Sequence, residues 1–308
     1  MKYIVTGGAG FIGSHIAAFL ARDHEVVILD NLFSGKEENI RHLPGSHAVQ
    51  FVHGSVTDLP LLRKVCDGAR GVFHQAAIAS VPRSLENPLA TNEANVTGTL
   101  NVLVAARDAG VKKVVFASSS SVYGETPVLP KREEMTPAPK SPYAVSKLAG
   151  EYYCRVFSEV FGLESVALRY FNVFGPRQDP QSDYAAVIPR FITRILNNEP
   201  PIIHGDGRQT RDFTYVSDVV QANVKAMESS ADGVFNIACG RRIDLLALCS
   251  VIMEKTGNHP SLSFADPRPG DVRDSLADIS AARNAFGYDP EYTVESGLEE
   301  TIAWYRQR

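Results

Sequence analysis

Cysteine is scarce in this 308-residue sequence, and its thiols are scattered. Cys66, Cys154, Cys239 and Cys249 form no CxxC pair and have no histidine at the spacing of a metal ligand. Disulfide frameworks and structural zinc sites show such spacings. We therefore expect reduced cysteines inside a protein core, no metal site, and a cytoplasmic location.

The sequence also lacks long apolar runs and blocks of one charge. No segment approaches the roughly 18 apolar residues of a membrane span. The first residues, MKYIVTGG, lack the apolar core and cleavage site of a signal peptide. The formal net charge is −4 and Lys and Arg form no cluster, so nothing attracts nucleic acid or anionic lipid. We expect no nucleic-acid partner and no membrane partner.

The first half of the chain does contain short apolar runs that alternate with helical patterns. The runs that predict strands are KYIVT, EVVILD, AVQFV, GVFHQ, KKVVFAS and LESVALRY. Helical patterns cover FIGSHIAAFLARD, about Pro88 to Ala109, and a segment that Ser141 can cap, Pro142 can open and Gly162 can end. Buried runs separated by helices predict an α/β fold with a doubly wound parallel sheet, the architecture of nucleotide-binding domains.

From Phe174 onward this rhythm breaks into polar, turn-rich loops with apolar or helical patterns between them. No repeat and no linker separates independent domains. We expect a smaller mixed α/β C-terminal lobe whose loops face the carboxyl ends of the strands, where open α/β sheets bind ligands. The predicted division assigns 1–171 and about 212–238 to a dinucleotide-binding domain, and 172–211 and 239–308 to a substrate-binding lobe.

A glycine-rich segment, TGGAGFIG, follows the first predicted strand and opens the first predicted helix. Gly7, Gly10 and Gly13 allow the backbone to turn tightly and to approach a diphosphate at the helix N-terminus. Asp30 ends the second predicted strand. A carboxylate there accepts hydrogen bonds from the ribose hydroxyls of NAD and repels the 2′-phosphate of NADP. The two features together predict an NAD site.

Tyr143 and Lys147 stand four residues apart at the start of a predicted helix, so they share one face. A nearby ammonium group and a positive nicotinamide ring favour the phenolate, which brings the tyrosine pKa from about 10 towards neutral pH. Alone, the pair would more often be a solvated surface pair. Downstream of a dinucleotide site it predicts proton transfer.

TGGAGFIG, Asp30, the serine run at 118–121 and YAVSK together resemble the extended short-chain dehydrogenase/reductase family. NVTGTLNVL, LRYFNVFGPRQ, AAVIPRF, GDGRQTRDFTYVSDV and PRPGDVRDSLAD resemble its nucleotide-sugar 4-epimerases, most closely those acting on UDP-N-acetylglucosamine. The resemblance implies a Rossmann fold, NAD as cofactor, a UDP-sugar as substrate, and a homodimer. In this family the helices around Thr91–Ala109 and Ser141–Phe161 pair across a two-fold axis. Small residues that would permit this, or could equally face the sheet, are Ala105, Ala106, Ala149 and Gly150.

The resemblance also assigns site residues. Catalysis falls on Ser119, Tyr143 and Lys147. Cofactor contacts fall on Gly7, Gly10, Phe11, Ile12, Gly13, Asp30, Asn31, Ser34, Gly35, Ser55, Val56, Gln75, Ala76, Ala77, Asn95, Tyr143, Lys147 and Tyr170. Substrate contacts fall on Val81, Ser119, Ser121, Tyr143, Asn172, Ala186, Val187, His204, Arg211, Arg268 and Ser275. Two positions depart from the family: Ser55 replaces a frequent aspartate near adenine, and Ala79 replaces a lysine that some epimerases place near the cofactor phosphates.

In the implied reaction Tyr143 takes the proton of the 4-hydroxyl while hydride passes to NAD, and the 4-keto sugar turns and is reduced on its other face. Arg211 and Arg268 would hold the diphosphate. Ser275 leaves room for an N-acetyl group, which a tyrosine would not, so we expect activity on UDP-GlcNAc/UDP-GalNAc and on UDP-glucose/UDP-galactose.

The alternatives to such a 4-epimerase are other nucleotide-sugar enzymes of the same family and a non-catalytic NAD-binding protein. Nucleotide-sugar 4,6-dehydratases carry an Asp-Glu pair where this chain has Ser120 and Ser121, and the decarboxylases usually carry a glutamate in the same loop. No residue clearly excludes a uronate substrate, so a UDP-uronate 4-epimerase stays an alternative. A non-catalytic NAD-binding sensor would usually have lost the tyrosine or the lysine.

Overall fold

The computed structural model describes residues 1–41, 43, 48–180, 186–267 and 272–307. Its strands are β1 (Lys2–Thr6), β2 (Glu25–Asp30), β3 (Val49–His53), β4 (Gly71–His74), β5 (Lys113–Ser119), β6 (Glu164–Tyr170), β7 (Val173–Phe174), β8 (Ile202–His204), β9 (Thr210–Arg211), β10 (Thr214–Tyr215), β11 (Gly233–Ile237), β12 (Ile243–Asp244) and β13 (Ser263–Ala265). Its α-helices are α1 (Phe11–Leu20), α2 (Leu59–Cys66), α3 (Val81–Glu86), α4 (Pro88–Asn92), α5 (Gly98–Asp108), α6 (Pro142–Phe161), α7 (Val187–Leu196), α8 (Val216–Glu228), α9 (Leu245–Thr256), α10 (Ser280–Phe286) and α11 (Val294–Tyr305).

A seven-stranded sheet in the order β3-β2-β1-β4-β5-β6-β11 forms the centre of the molecule. Every pairing within it is parallel, which confirms the predicted doubly wound fold. The strand order reverses between β1 and β4, and in such sheets the reversal opens a crevice at the carboxyl ends of the strands. The first ligand site is therefore expected above β1 and β4.

Both faces of this sheet are buried, because successive side chains of a strand point to opposite sides. In β1, Tyr3 and Val5 belong to one apolar cluster and Ile4 belongs to the other. Helices α1 and α8 cover the first face, and α2, α5 and α6 cover the second. This explains why the strands appear in the sequence as continuous apolar runs rather than as alternating patterns.

The long helix α6 begins and ends as its sequence predicts. Ser141 Oγ accepts a hydrogen bond from Ala144 N at 3.2 Å, Pro142 is the first helical residue, and Gly162 follows the last turn with φ +69°. The helical pattern from Pro88 to Ala109 is also present, but a π-helical turn at Glu93–Thr97 divides it into α4 and α5. Apolar periodicity did not reveal this wider turn.

Three of the small residues that were expected either at a dimer contact or against the sheet face the interior. Ala105 and Ala106 are fully buried, and a Cβ at Gly150 would lie 2.4 Å from the Phe116 ring. They face the sheet because α5 and α6 must approach it closely. Of the two alternatives stated for these residues, the structure bears out the one in which Ala105, Ala106 and Gly150 face the sheet.

The C-terminal part of the chain has an apolar cluster of its own, built mainly from α7, α9, α11 and the short strands. Phe174, Ile192, Leu248 and Leu298 lie in this cluster, whereas β11 returns to the central sheet beside β6. We propose that this packing divides the chain into 1–171 with about 212–238 and 172–211 with 239–308. All four cysteines are free and buried, as expected. Over the described ranges no helix is both long and apolar enough to span a bilayer.

Candidate active site

The glycine-rich turn after β1 forms a cradle that side chains would fill. Gly7 has φ +67°, and a Cβ there would lie 2.7 Å from Ala76 Cα, while a Cβ at Gly13 would lie 2.2 Å from Gly7 O. Helix α1 begins directly after this turn, and no side chain caps its first turn. Its first backbone N–H groups are therefore available to an anionic ligand, as the fit of a dinucleotide diphosphate requires.

A cavity of about 770 Å³ extends from this cradle along the carboxyl ends of the central strands. Its volume is within the range of about 300–1,000 Å³ that is usual for ligand sites. The residues predicted to bind the cofactor line it, with the exception of Asn95. They are Gly7, Gly10, Phe11, Ile12, Gly13, Asp30, Asn31, Ser34, Gly35, Ser55, Val56, Gln75, Ala76, Ala77, Tyr143, Lys147 and Tyr170.

Asp30 is fixed in the wall of this cavity by backbone donors. Its Oδ2 accepts from Ala9 N at 3.0 Å and its Oδ1 accepts from Leu32 N at 2.8 Å. Each carboxylate oxygen keeps a further lone pair for a ribose hydroxyl. Lys36 forms an ion pair with Asp179 at 3.1 Å, so its charge is already balanced and does not favour a 2′-phosphate. These features fit NAD better than NADP.

The proposed catalytic residues meet at the other end of the cavity. Tyr143 and Lys147 lie in the first turns of α6 and both line the cavity. Lys147 Nζ donates to Ala117 O at 2.7 Å and lies 6.0 Å from the centre of the Tyr143 ring. The Ser119 side chain, at the end of β5, hydrogen-bonds with the Tyr143 hydroxyl. The strand end and the helix start thus bring all three groups together.

Burial shifts the pKa values of this pair in opposite directions. It raises the pKa of Tyr143, and the hydrogen bond with Ser119 partly offsets this. It lowers the pKa of Lys147 to about 8, and the neighbouring Cys154 and Glu151 side chains partly oppose this shift. Lys147 therefore keeps its proton at neutral pH, where its positive charge can stabilise a phenolate.

Asn95 lies behind the cavity wall rather than in it. Its Oδ1 accepts from Ile78 N at 2.8 Å, and its Nδ2 donates to Ile78 O at 3.2 Å and to Ser146 Oγ at 3.0 Å. Ser146 Oγ in turn donates to Tyr143 O at 2.7 Å. We propose that Asn95 positions the turn that carries Tyr143, in place of the direct cofactor contact that was expected.

A buried chain of hydrogen bonds fixes Asn95 from β1. Thr99 Oγ1 donates to Asn95 O at 2.6 Å, so His74 Nε2, at 2.9 Å, must donate to Thr99 Oγ1. His74 Nδ1 then accepts from Thr6 Oγ1 at 2.7 Å. Burial lowers the pKa of His74 to about 3, so this tautomer stays neutral.

A second cavity, of about 260 Å³, lies in the C-terminal part of the chain. Among the residues predicted to bind substrate, Asn172, Ala186, Val187, His204 and Arg211 line it. Arg211 Nη1 donates to Thr210 O at 2.9 Å and to Arg273 O at 3.0 Å. Its planar guanidinium group borders this cavity, and the geometry of such a group suits a diphosphate.

Of the other predicted substrate residues, Tyr143 lines the larger cavity, whereas Val81, Ser119, Ser121 and Ser275 belong to neither lining. Ser121 Oγ is buried and has no hydrogen-bond partner among the described residues. Ser275 is only 7% exposed, and its N donates to Thr210 O at 3.1 Å. Val81 opens α3, Ser119 contacts Tyr143 as described, and Arg268 lies outside the described residues.

Sequence reasoning missed several polar residues of these cavities, among them Gln209, Arg83 and Arg177. Gln209 lines the smaller cavity, and its buried Oε1 has no partner in the described part of the chain. Arg83 and Arg177 line the larger cavity. The signal for Gln209 and Arg177 was their presence in motifs already singled out, GDGRQTRD and GPRQ. Position in a motif did not show which side chain faces a ligand.

Residues 3–238 match the model of the NAD dependent epimerase/dehydratase family. A putative UDP-glucose 4-epimerase of Methanocaldococcus jannaschii is 39% identical, with 98% of each chain covered. The structure of a UDP-N-acetylglucosamine 4-epimerase from Methanobrevibacter ruminantium M1, in complex with UDP-N-acetylmuramic acid, is 44% identical, with a TM-score of 0.96 over 99% of this chain and 98% of that one.

A third similar structure holds a cofactor. The UDP-glucuronic acid 4-epimerase of Bacillus cereus, in complex with UDP-glucuronic acid and NAD, is 33% identical, with a TM-score of 0.93 over 100% of this chain and 99% of that one. These three proteins thus share 4-epimerisation in their names and differ in the sugar.

Proposed function

The chain belongs to the NAD dependent epimerase/dehydratase family and is a nucleotide-sugar 4-epimerase, and we propose that it interconverts UDP-N-acetylglucosamine with UDP-N-acetylgalactosamine and UDP-glucose with UDP-galactose. The observation that carries the proposal is the position of Tyr143 and Lys147. Both lie in the wall of the cavity that the glycine cradle opens, with Ser119 bonded to the Tyr143 hydroxyl. A proton acceptor and a dinucleotide site thus share one cavity.

The glycine cradle would hold the diphosphate of NAD at one end of the cavity, and Asp30 would accept hydrogen bonds from its ribose. Bound NAD supplies a hydride acceptor for C4 of the sugar and then a hydride donor. Because the hydride and the proton that are removed from the sugar are later returned to it, the reaction has no net redox change. The cofactor therefore need not leave. Tight retention of NAD is therefore part of the proposed function.

The chain's own residues move the proton. Tyr143, as phenolate, accepts the proton of the 4-hydroxyl and returns it to O4 after the sugar has turned. The ammonium group of Lys147 stabilises the phenolate through its charge, and the bond with Ser119 fixes the direction of the Tyr143 hydroxyl. The buried Ser121 hydroxyl, which lacks a protein partner among the described residues, suits a second contact with the sugar.

The nucleotide must stay fixed while the 4-keto sugar turns. We assign Arg211 and Arg268 to the diphosphate, and Ala186, Val187 and His204 to the nucleoside, because the described members of this group line one cavity apart from Tyr143. Arg211 is itself held by the carbonyls of Thr210 and Arg273. An anchor at the diphosphate alone leaves the sugar free to present either face to the cofactor.

The choice of an N-acetylated sugar rests on Ser275. Its burial excludes a purely solvent-facing role, and its backbone is bonded to Thr210, next to Arg211. A small side chain at this position is compatible with a substituent on C2. The name of the relative that acts on UDP-N-acetylglucosamine supports the same choice.

The test is incubation of the purified protein with UDP-GlcNAc, UDP-glucose and UDP-glucuronic acid, without added cofactor. We expect the 4-epimers of the first two, detected by chromatography, and about one NAD per chain after acid extraction. Turnover of UDP-glucuronic acid alone would establish the uronate alternative. Bound NAD with no turnover of any sugar would support a sensor and contradict the proposal.

A further inference from the structure

Arg177 has a backbone conformation that is unfavourable for its residue type. It follows β7 in the segment Gly175–Pro180, and its φ is +66°. Side chains other than glycine rarely adopt this left-handed region, because Cβ comes close to the backbone. Such outliers persist only where the surrounding structure imposes them, and they concentrate at ligand sites.

Pro176, Gln178 and Asp179, which flank Arg177, each contact another part of the chain. His15 Nε2 donates to Pro176 O at 2.9 Å, and Tyr305 OH donates to Gln178 O. Asp179 forms the ion pair with Lys36, and both residues line the larger cavity. Contacts from three separate parts of the chain therefore hold this segment and impose the conformation of Arg177.

The guanidinium group of Arg177 has fewer partners than it can hold. Its Nη1 donates to Ser14 O at 3.0 Å, and no carboxylate contacts it within the described ranges. It lines the larger cavity and is partly buried, and burial lowers its pKa. A charge removed from water without a countercharge is unfavourable unless a ligand supplies one.

The position of this charge identifies the ligand group. Ser14 belongs to the first turn of α1, the helix whose N-terminus faces the cavity without a side-chain cap. Other cations in the cavity wall are engaged differently: Lys36 pairs with Asp179, Lys147 is bonded to Ala117 O, and Arg83 stacks over the Phe33 ring at 5.7 Å. Arg177 is the cation tied to the helix that receives the diphosphate.

We propose that Arg177 binds the diphosphate of the NAD cofactor and that it thereby retains NAD between turnovers. The inference rests on the proposed function, because it concerns the same cofactor cavity. It also explains how a chain with Ala79 at the position of a phosphate-binding lysine balances the cofactor's charge. The guanidinium fork suits two phosphate oxygens.

Two variants separate the effect of the Arg177 charge on NAD binding from the effect of its strained backbone. Arg177→Met keeps the length and the strain but removes the charge, and Arg177→Gly removes both the charge and the strain. NAD per chain and the rate of NAD release are measured for the purified holoenzymes at 0.1 and 1 M NaCl. We expect both variants to release NAD at least tenfold faster than wild type at low salt, and the difference to shrink at high salt because salt screens the contact.

Two competitors test whether the phosphates are the group recognised. Excess ADP-ribose or excess adenosine is added to displace NAD. For each competitor the concentration that displaces half of the NAD is measured and divided by the NAD affinity of the same protein. These values are compared between wild type and Arg177→Met. The advantage of ADP-ribose over adenosine should fall about tenfold in Arg177→Met. An unchanged advantage, or full NAD retention by either variant, would overturn the proposal.

The control variant is Asn198→Gly, which relieves another positive φ, +56°, in the turn after α7. It should retain NAD as wild type does, and faster release from it would show that the assay reports backbone change rather than phosphate binding, which would overturn the proposal. If wild type holds NAD but converts no UDP-sugar, the proposed function is contradicted. The rates of NAD release from wild type and from the Arg177 variants can still be compared in that case. The two failures are thus distinct.

Discussion

Tyr143 is the residue on which the proposed chemistry depends. Tyr143→Phe removes the hydroxyl and keeps the ring, so we expect a fall in kcat of about 10²- to 10⁴-fold, the usual contribution of a positioned acid or base. NAD content should stay unchanged, because the glycine cradle and Asp30 remain. Epimerase assays with UDP-glucose and acid extraction of NAD measure the two quantities.

Tyr152→Phe is the matched control for that change. Tyr152 lies on the same helix and is largely exposed, so its hydroxyl has no part in the cavity. We expect wild-type kcat from this variant. Full activity of Tyr143→Phe would remove Tyr143 from the mechanism.

Lys147 gives the site a pH dependence whose sign follows from its lowered pKa. Burial moves this pKa from 10.5 to about 8. Between these values the unfolded chain binds the proton and the folded chain does not, so folding stability rises with pH over this window. Below pH 8 both states are protonated, and the cost of the buried charge is fully present.

Lys147→Met isolates this effect, because methionine does not titrate. We expect the free energy of unfolding of wild type, relative to that of Lys147→Met, to increase between pH 8 and pH 10. Urea denaturation at several pH values measures it. A difference that stays constant over this range would show that the Lys147 pKa is close to its ordinary value.

Ser275 is the residue that should set the sugar preference. Ser275→Tyr should abolish activity on UDP-GlcNAc and preserve activity on UDP-glucose, because a larger side chain fills the space proposed for the C2 substituent. Ser275→Ala should keep both activities. The ratio of kcat/KM for the two sugars is the measurement, and equal losses on both would contradict the role of Ser275.

At the scale of the elements, helix α6 is anchored by a buried ion pair. Glu151 and Arg169 of β6 meet at 2.7 Å with both side chains 4% exposed, and Ser118 Oγ donates to Glu151. Glu151→Gln leaves the guanidinium charge buried without its partner. We expect a loss of about 3–5 kcal/mol in the free energy of unfolding, the usual cost of breaking such a pair.

The same helix offers a matched control. Arg155 and Glu159 form an i,i+4 pair at 3.8 Å with side chains 62% and 64% exposed. Glu159→Gln should change stability by less than about 1 kcal/mol, because solvent screens the exposed pair. Urea denaturation of both variants gives the comparison, and similar effects would contradict the importance of burial.

Elements with strong local signals were predictable, and elements without them were not. Helix α6 has a capping serine, an initial proline and a terminal glycine, and its bounds follow from these residues. The strands β7 to β10 are two or three residues long and pair with distant partners, as β8 does with β13. Such short strands leave no period in the sequence, because distant contacts define them.

At the scale of the whole molecule, the doubly wound parallel sheet and the glycine cradle were predictable, because the first follows from buried apolar runs separated by helices and the second from one motif. The inward or outward direction of a helix face was harder. Ala105 and Gly150 suggested close packing, and the structure shows that this packing is against the sheet. Small residues on a helix show that a neighbouring group lies close to it, but not whether that group is the sheet or a second copy of the chain.

An exposed apolar surface on α3, α4 and α6 supports the predicted homodimer independently of the small residues discussed above. On α6, Val145, Tyr152, Val156 and Val160 are 41–66% exposed and spaced at seven and four residues, so they share one face. Leu85 of α3 and Leu89 of α4 are also exposed, and both helices pack against α6. Continuous apolar surface of this kind marks an interface. We propose that α6 of a second copy covers it.

Val156→Arg tests this surface, since a charge at its centre would be buried without a partner in the dimer. We expect wild type to have the mass of a dimer in light scattering at micromolar concentration, and Val156→Arg to have the mass of a monomer. Phe264→Arg, on β13 and 56% exposed in wild type, should leave the dimer intact because it lies in the other lobe. Monomeric wild type, or dimeric Val156→Arg, would contradict the assignment.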